Sequence, residues 1–146
     1  MRNQFLIGLV LAAIAAFSLT QNSGRVDLIA ASSAAELGYE PQASNERQIN
    51  VTVKLQNIPN DATTWIFEVA METHTKSLSD DLTKSATLIA DGKQYLPSGW
   101  EGAPPGGHHR KGKLLFKTIA PRPASVELQI HLIDDPAPRS FQWVLK

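Results

Sequence analysis

The chain of 146 residues contains no cysteine. It can therefore form no disulfide, hold no zinc–thiolate site and use no cysteine nucleophile. An excess of charge is also lacking, because 14 Lys and Arg balance 14 Asp and Glu. A nucleic-acid-binding domain normally carries a basic patch or excess, so the composition argues against a nucleic-acid partner. Methionine is scarce too, with only Met1 and Met71, which leaves no methionine-rich metal site.

One long apolar run is present, from residue 5 to residue 19, and it follows the basic segment Met1-Arg2-Asn3-Gln4. A membrane-spanning helix needs about 20 apolar residues, so this shorter run is typical of a secretory signal peptide. We predict that residues 1–22 are a cleaved signal peptide or, alternatively, an uncleaved anchor that inserts into the membrane through residues 5–19. Cleavage predicts a periplasmic or secreted protein, and the alternative is a protein anchored to the membrane by residues 5–19.

Residues 23–47 are rich in Ala, Ser, Asn and Glu and show no sustained hydrophobic period, which predicts a linker or flexible arm. From residue 49 onward apolar and polar residues alternate, as in Ile49-Asn50-Val51-Thr52, which is the pattern of a half-buried strand. About seven such runs are separated by clusters of Pro, Gly, Asn and Asp. They predict that residues 48–146 form an all-β, antiparallel β-sandwich of immunoglobulin-like type, with a small β-barrel as the alternative.

Two further details of the sandwich follow from the sequence. The dipeptide Asp91-Gly92 lies between two β-prone runs and predicts a two-residue hairpin. Five large aromatic residues occupy the apolar sides of the predicted strands, and we expect them to form the core. They are Trp65, Phe67, Phe116, Phe141 and Trp143.

The segment PSGWEGAPPGGHHRKG, residues 97–112, concentrates proline and glycine with a tryptophan and two histidines. Proline restricts the backbone and glycine permits tight turns, so the segment predicts a rigid loop. Long loops without secondary structure of their own are often functional. We predict a binding surface that consists of Trp100, Glu101, His108, His109 and Arg110. Within it we expect Trp100 to cover one end of the sandwich, a histidine ring to bond a loop carbonyl, and Arg110 to pair with Glu101.

Imidazole is the commonest side-chain ligand of transition metals, and the histidines available are His74, His108, His109 and His131. If His108 and His109 begin a strand, their side chains point to opposite faces, which argues against one shared ion. Glu68, Glu72 and His74 share a face of their predicted strand, but such residues also occur on any solvent-exposed strand. We predict no metal and no cofactor, with a copper or zinc site at His108-His109 as the alternative.

No catalytic motif is recognisable. Ser98, His109 and Glu101 can be combined into a catalytic triad on paper, but no strand–turn–helix nucleophile elbow surrounds the serine. Gly106-Gly107 lacks the residues and the helix of a phosphate-binding loop. The sequence therefore predicts that the protein is not an enzyme.

The motif W-E-G-A-P-P-G-G-H-H-R-K-G-K-L-L-F (Trp100 to Phe116), followed by R-S-F-Q-W-V-L (Arg139 to Leu145), resembles a pattern in extracytoplasmic bacterial proteins with an immunoglobulin-like domain. The resemblance implies fold and export, and it transfers no activity to any residue. We therefore predict a non-catalytic binding or structural module of the cell envelope that acts through residues 97–112 on an envelope protein or a glycan. The alternative is a periplasmic copper- or zinc-binding protein.

Overall fold

The structure, a computed structural model, describes residues 39–146. The predicted signal segment, residues 1–22, and most of the predicted arm lie outside the described residues. Within residues 39–146, no helical segment has the length and hydropathy needed to cross a bilayer.

Nine strands and one helical turn make up the described chain. The first sheet has the spatial order β1-β2-β3-β7-β6 and the second has the order β5-β4-β8-β9, with every pairing antiparallel. The predicted antiparallel β-sandwich is confirmed. The elements are β1 (Gln42–Glu46), β2 (Ile49–Leu55), β3 (Thr64–Thr73), α1 (Leu82–Ser85), β4 (Ala86–Ala90), β5 (Lys93–Tyr95), β6 (Gly99–Gly102), β7 (His109–Lys117), β8 (Ser125–Ile130) and β9 (Arg139–Val144).

The core lies between the two sheets and is built by strand alternation. In β2 every second residue, from Ile49 to Leu55, is buried, as the period-two pattern predicts. The five predicted core aromatics are all buried. The ring centroid of Phe67 lies 5.5 Å from that of Phe116 and 5.5 Å from that of Trp143. Phe67 and Phe116 belong to the first sheet and Trp143 to the second, so this cluster joins the two layers.

The strand order distinguishes this sandwich from an immunoglobulin constant domain, in which the second and third strands lie in different sheets. Here β2 and β3 are hydrogen-bonded neighbours along the whole length of β2, from Ile49 opposite Thr73 to Leu55 opposite Phe67. The strands also form two separate sheets rather than the closed sheet of the alternative barrel.

Two of the nine strands lie where the sequence predicts none. β1 falls inside the predicted arm and β6 inside the predicted loop, and both are edge strands without apolar alternation. The β1–β2 turn contains Arg47 and Gln48, whose φ angles are 50° and 64°. This left-handed turn lacks the glycine that usually signals it, whereas the predicted hairpin at Asp91-Gly92 is confirmed. The first sheet therefore includes residues 42–46, which precede residue 48, the predicted start of the sandwich.

A buried arginine connects the two sheets. The side chains of Arg139, the first residue of β9, and Asp135 are both fully buried. Arg139 Nε donates to Asp135 Oδ2 at 2.7 Å, and Nη2 donates to Oδ1 at 3.2 Å. The remaining bonds run from Nη1 to the carbonyls of Ser44 (3.2 Å) and Ile49 (2.8 Å), and from Nη2 to that of Glu46 (2.9 Å). All five N–H groups of the guanidinium are thus satisfied.

Two more side chains extend this connection between the first strand and the last. Gln42 Oε1 accepts a hydrogen bond of 2.9 Å from the backbone N–H of Gln142, and Gln42 Nε2 donates to the Gln142 carbonyl. Trp143 Nε1 donates to the carbonyl of Glu40 at 3.0 Å. Gln42 thus satisfies the backbone N–H and C=O of Gln142 on the free edge of β9, two groups that would otherwise be open to pairing with other strands.

We expect Arg139→Met to lower the free energy of unfolding by about 3–5 kcal/mol, because the Asp135 carboxylate would stay buried without a counter-charge. Urea unfolding of the full chain measures this. The double variant Arg139→Met/Asp135→Leu should recover part of the loss, since it leaves no buried charge.

Lys76→Met provides the matched control. It breaks an ion pair of similar length, 3.0 Å to Asp134, whose side chains are 28% and 56% exposed. Exposed pairs contribute about 0–1 kcal/mol, so equal losses for Arg139→Met and Lys76→Met would contradict the role of Arg139.

Candidate functional site

The segment 97–112 is not a free loop. It consists of edge strand β6, a connection from Ala103 to His108, and the beginning of β7. β6 pairs with β7 so that Trp100 lies opposite Leu114 and Gly102 opposite Gly112. The predicted loop is therefore corrected to a strand hairpin with a long connection, because backbone pairing with β7 compensates for the weak strand propensity of Gly and Pro.

Trp100 packs half-buried against the core at the β6 edge of its sheet. Its Nε1 donates a 2.9 Å hydrogen bond to the carbonyl of Ala103. The indole occupies the space where residue 112 would carry a side chain, because a Cβ atom placed on Gly112 would lie 2.5 Å from Trp100 Cζ2. The same Cβ atom would lie 2.7 Å from the Glu101 carbonyl oxygen and 2.8 Å from Gly102 Cα. Close approach of both the indole and the β6 backbone thus explains the glycine at position 112.

Arg110 is buried beside Trp100, with only 3% of its surface exposed. Its guanidinium carbon lies 5.1 Å from the centroid of the Trp100 ring, within cation–π range. Its Nε donates to the same Ala103 carbonyl at 3.1 Å, and its Nη1 donates to the carbonyl of Asp80. Loss of solvent lowers the pKa of Arg110, while the nearby carboxylates of Asp80 and Asp81 oppose this shift.

The predicted ion pair between Arg110 and Glu101 is wrong. Glu101 is exposed and lies opposite Lys113 in the ladder, whereas Arg110 is buried. Lys113 is three residues from Arg110 on β7, and residues an odd number apart on a strand face opposite sides. Strand alternation therefore separates the two charges.

Hydrogen bonds to a distant segment anchor the connection between β6 and β7. Gly106 N–H donates to the Leu78 carbonyl at 2.8 Å, and Leu78 N–H donates to the Gly107 carbonyl at 3.0 Å. Gly106 and Gly107 have φ angles of 118° and 74°, which favour glycine. The Thr73 N–H adds a 2.9 Å bond to the His108 carbonyl. The sequence carried no signal for these partners, since they lie about 30 residues earlier in the chain.

The four histidines are dispersed over the described chain. His108 and His109 are exposed, and His109 begins β7 opposite Glu72 of β3. His74 follows the end of β3 and is also exposed. The ring of His131 lies 3.1 Å (Nε2) from the Asp135 carbonyl, a bond that requires the proton on Nε2. Within residues 39–146 no three His, Asp or Glu side chains are grouped to hold a metal ion.

The expected bond from a loop histidine to a loop carbonyl is not formed by His108 or His109 in residues 39–146; the indole of Trp100 and the guanidinium of Arg110 bond the Ala103 carbonyl instead. Ser98, His109 and Glu101 do not come together as a catalytic triad either. Ser98 N–H bonds the carbonyl of Leu115, six residues along β7 from His109. At about 3.3 Å per residue, Leu115 and His109 are about 20 Å apart, and Ser98, which is bonded to Leu115, is therefore far from His109.

The five predicted binding residues thus divide into two sets. Trp100 and Arg110 form an internal framework, whereas Glu101, His108 and His109 are exposed on it, together with the proline pair 104–105. This exposed set offers one carboxylate, two imidazoles and the apolar rings of two prolines.

Comparison of the chain with protein-family models, with curated proteins and with solved structures finds no match. The resemblance of the motif at Trp100 to Phe116 therefore stays a prediction, and the interpretation of the site depends on its own geometry.

We expect Gly112→Ala to lower the free energy of unfolding by about 1–3 kcal/mol, because the added methyl group overlaps both the Trp100 indole and the backbone of β6 at Glu101 and Gly102. Urea unfolding followed by circular dichroism measures the loss. Gly99→Ala is the matched control on the same strand pair, since its Cβ would meet only Leu115 Cδ1 at 3.9 Å. If both variants were equally stable, the proposed packing of Trp100 on Gly112 would be excluded.

Proposed function

We propose that the protein is a non-catalytic binding module of the bacterial cell envelope, and that it binds an envelope protein through the exposed residues of segment 97–112. The observation that supports this most directly is the shared use of the Ala103 carbonyl by Trp100 and Arg110. These two large side chains hold the connection in one shape, so binding would cost little conformational entropy.

The chemistry of the exposed residues favours a protein partner. Glu101 is followed by the exposed prolines 104 and 105, and then by His108 and His109. Prolines present apolar surface at low entropic cost, while the carboxylate and the imidazoles add hydrogen-bonding groups. The neighbouring outer surface of Glu68, Lys111 and Lys113 also mixes the two charges, which suits a protein surface better than a polyanion.

Site-specific photocrosslinking tests this proposal. A benzoylphenylalanine at position 109 should form an adduct of defined mass with one envelope protein in intact cells. The same group at position 93, exposed on the β4–β5 hairpin, serves as the control and should not. Adding Glu101→Ala and His108→Ala should strongly reduce the adduct from position 109.

The two alanine replacements should change the free energy of unfolding by no more than about 0.5 kcal/mol, because both side chains are exposed. A lost adduct then reports binding rather than folding. Equal adducts from positions 93 and 109, or none from position 109, would refute the proposed binding surface.

The envelope location is proposed from the apolar run at residues 5–19 behind Arg2. Cell fractionation should find the protein outside the cytoplasm, and its intact mass should show whether it has lost about the first 22 residues or retains them. Recovery of the chain from the cytoplasmic fraction alone would contradict export.

A further inference from the structure

The outer face of the four-stranded sheet carries almost no charge. Its outward side chains form rows across β4, β8 and β9. Thr87, Gln129 and Ser140 form one row, and Ile89, Glu127 and Gln142 form the next. Glu127 is the one charged side chain in these two rows.

The outer face of the other sheet is different. There the row across β2, β3, β7 and β6 is Lys54, Glu68, Lys113 and Glu101, four charged residues of alternating sign. Alternating charges are the ordinary means of keeping a sheet face solvated. The neutral face therefore requires a separate explanation, and its amides and hydroxyls are both donors and acceptors of hydrogen bonds.

A concavity lies on each side of the pair Glu127 and Gln129. The first, of about 560 Å³, is lined by Ile89, Glu127 and Gln142 and by the hairpin at residues 91–92. The second, of about 580 Å³, is lined by Thr87, Gln129 and His131 of the sheet face. Its other wall, outside the two rows, carries the charged residues Asp80, Asp81 and Lys84 and the apolar residues Ile133 and Pro138. Both volumes are within the range of about 300–1,000 Å³ that is common for small-molecule sites. The two concavities follow β8, so they form one path about 20 Å long from residue 131 to residue 125.

The side chains between the concavities are held in place before any ligand arrives. Glu127 Oε1 accepts from Gln129 Nε2 at 2.8 Å and from Ser140 Oγ at 2.7 Å. The hydrogen bonds from Gln129 and Ser140 lower the pKa of Glu127, so the carboxylate stays ionised at neutral pH. The amide carbonyl and second N–H of Gln129 and the further lone pairs of Glu127 are left to bind a ligand.

This chemistry selects against two classes of partner. Nucleic acids and other polyanions require Lys or Arg, and the two rows contain none. A second copy of the chain would need an interface core that is about 65% apolar. Outside the buried core, the two linings hold four apolar residues, Ile89, Ile133, Pro138 and Val144, and most of their remaining exposed members are polar or charged. A neutral ligand rich in hydroxyl groups matches both the donors and the acceptors.

We propose that the outer face of the four-stranded sheet binds a neutral oligosaccharide chain that lies along β8. Its hydroxyl groups donate hydrogen bonds to the Glu127 carboxylate, and they both donate to and accept from the side-chain amides of Gln129 and Gln142. This site lies on other strands than segment 97–112 and does not depend on the function proposed for that segment.

Nuclear magnetic resonance of the ¹⁵N-labelled full chain tests the proposal. Cellohexaose, maltohexaose and chitohexaose are each added to millimolar concentration, with polygalacturonate as the anionic comparison. At least one neutral hexaose should shift the side-chain amide signals of Gln129 and Gln142 and the backbone signals of β8. Polygalacturonate should not shift them.

Variants then assign the contact. Glu127→Ala should weaken binding of the active hexaose about tenfold, as expected for the loss of a charge-assisted hydrogen bond. Glu68→Ala is the matched control, because Glu68 also accepts a side-chain amide bond, from Gln56 Nε2 at 2.7 Å, but lies on the other sheet. It should leave the affinity within about twofold.

Four results would overturn the proposal. They are the absence of shifts with all three hexaoses, shifts confined to residues 97–112, equal weakening by Glu127→Ala and Glu68→Ala, and concentration-dependent shifts on this face without sugar, which would indicate self-association. None of them bears on the crosslinking result at position 109.

Discussion

The bidentate bond between Arg139 and Asp135 is the interaction on which the rest of the sandwich depends. A guanidinium and a carboxylate taken out of water are stable only when their hydrogen bonds are satisfied, and the carbonyls of Ser44, Glu46 and Ile49 complete that set. Those carbonyls belong to β1 and to the first residue of β2, while Arg139 begins β9. One buried charge therefore specifies how the first strands of one sheet meet the last strand of the other.

Arg110 repeats the same principle at the opposite edge of the first sheet. It is buried, it donates to backbone carbonyls, and it stacks on Trp100. The difference is that its bonds organise a connection rather than a pair of sheets, and the pKa of its guanidinium is lowered by loss of solvent. As a result, the residues most suggestive of a binding site in the sequence, a tryptophan and an arginine, support the surface instead of forming it.

The two faces of the sandwich differ in the ligands that they suit. The charged rows around Lys54 and Glu68, together with the exposed residues of segment 97–112, suit a protein surface of mixed charge. The neutral rows around Glu127 and Gln129 suit hydroxyl groups. The two proposed sites lie on different strands, so the two proposals together predict that a protein and a glycan bind at the same time.

The sequence by itself determined the elements whose apolar residues alternate. These include β2, β3, the hairpin at Asp91-Gly92, and the burial of all five core aromatics, because local periodicity and turn chemistry are sufficient for them. Tertiary structure alone decided the formation of β1 and β6 and the burial of Arg110 and Arg139. It also decided the hydrogen bonds that Gln129 and Ser140 donate to Glu127 on the outer face of the second sheet. The edge strands β1 and β6 carry no apolar alternation, and the carbonyls that accept from buried Arg139 lie up to 95 residues away in the chain. Only the folded register brings them together. Every residue has a backbone carbonyl, so the type of a residue does not reveal whether its carbonyl accepts such a bond.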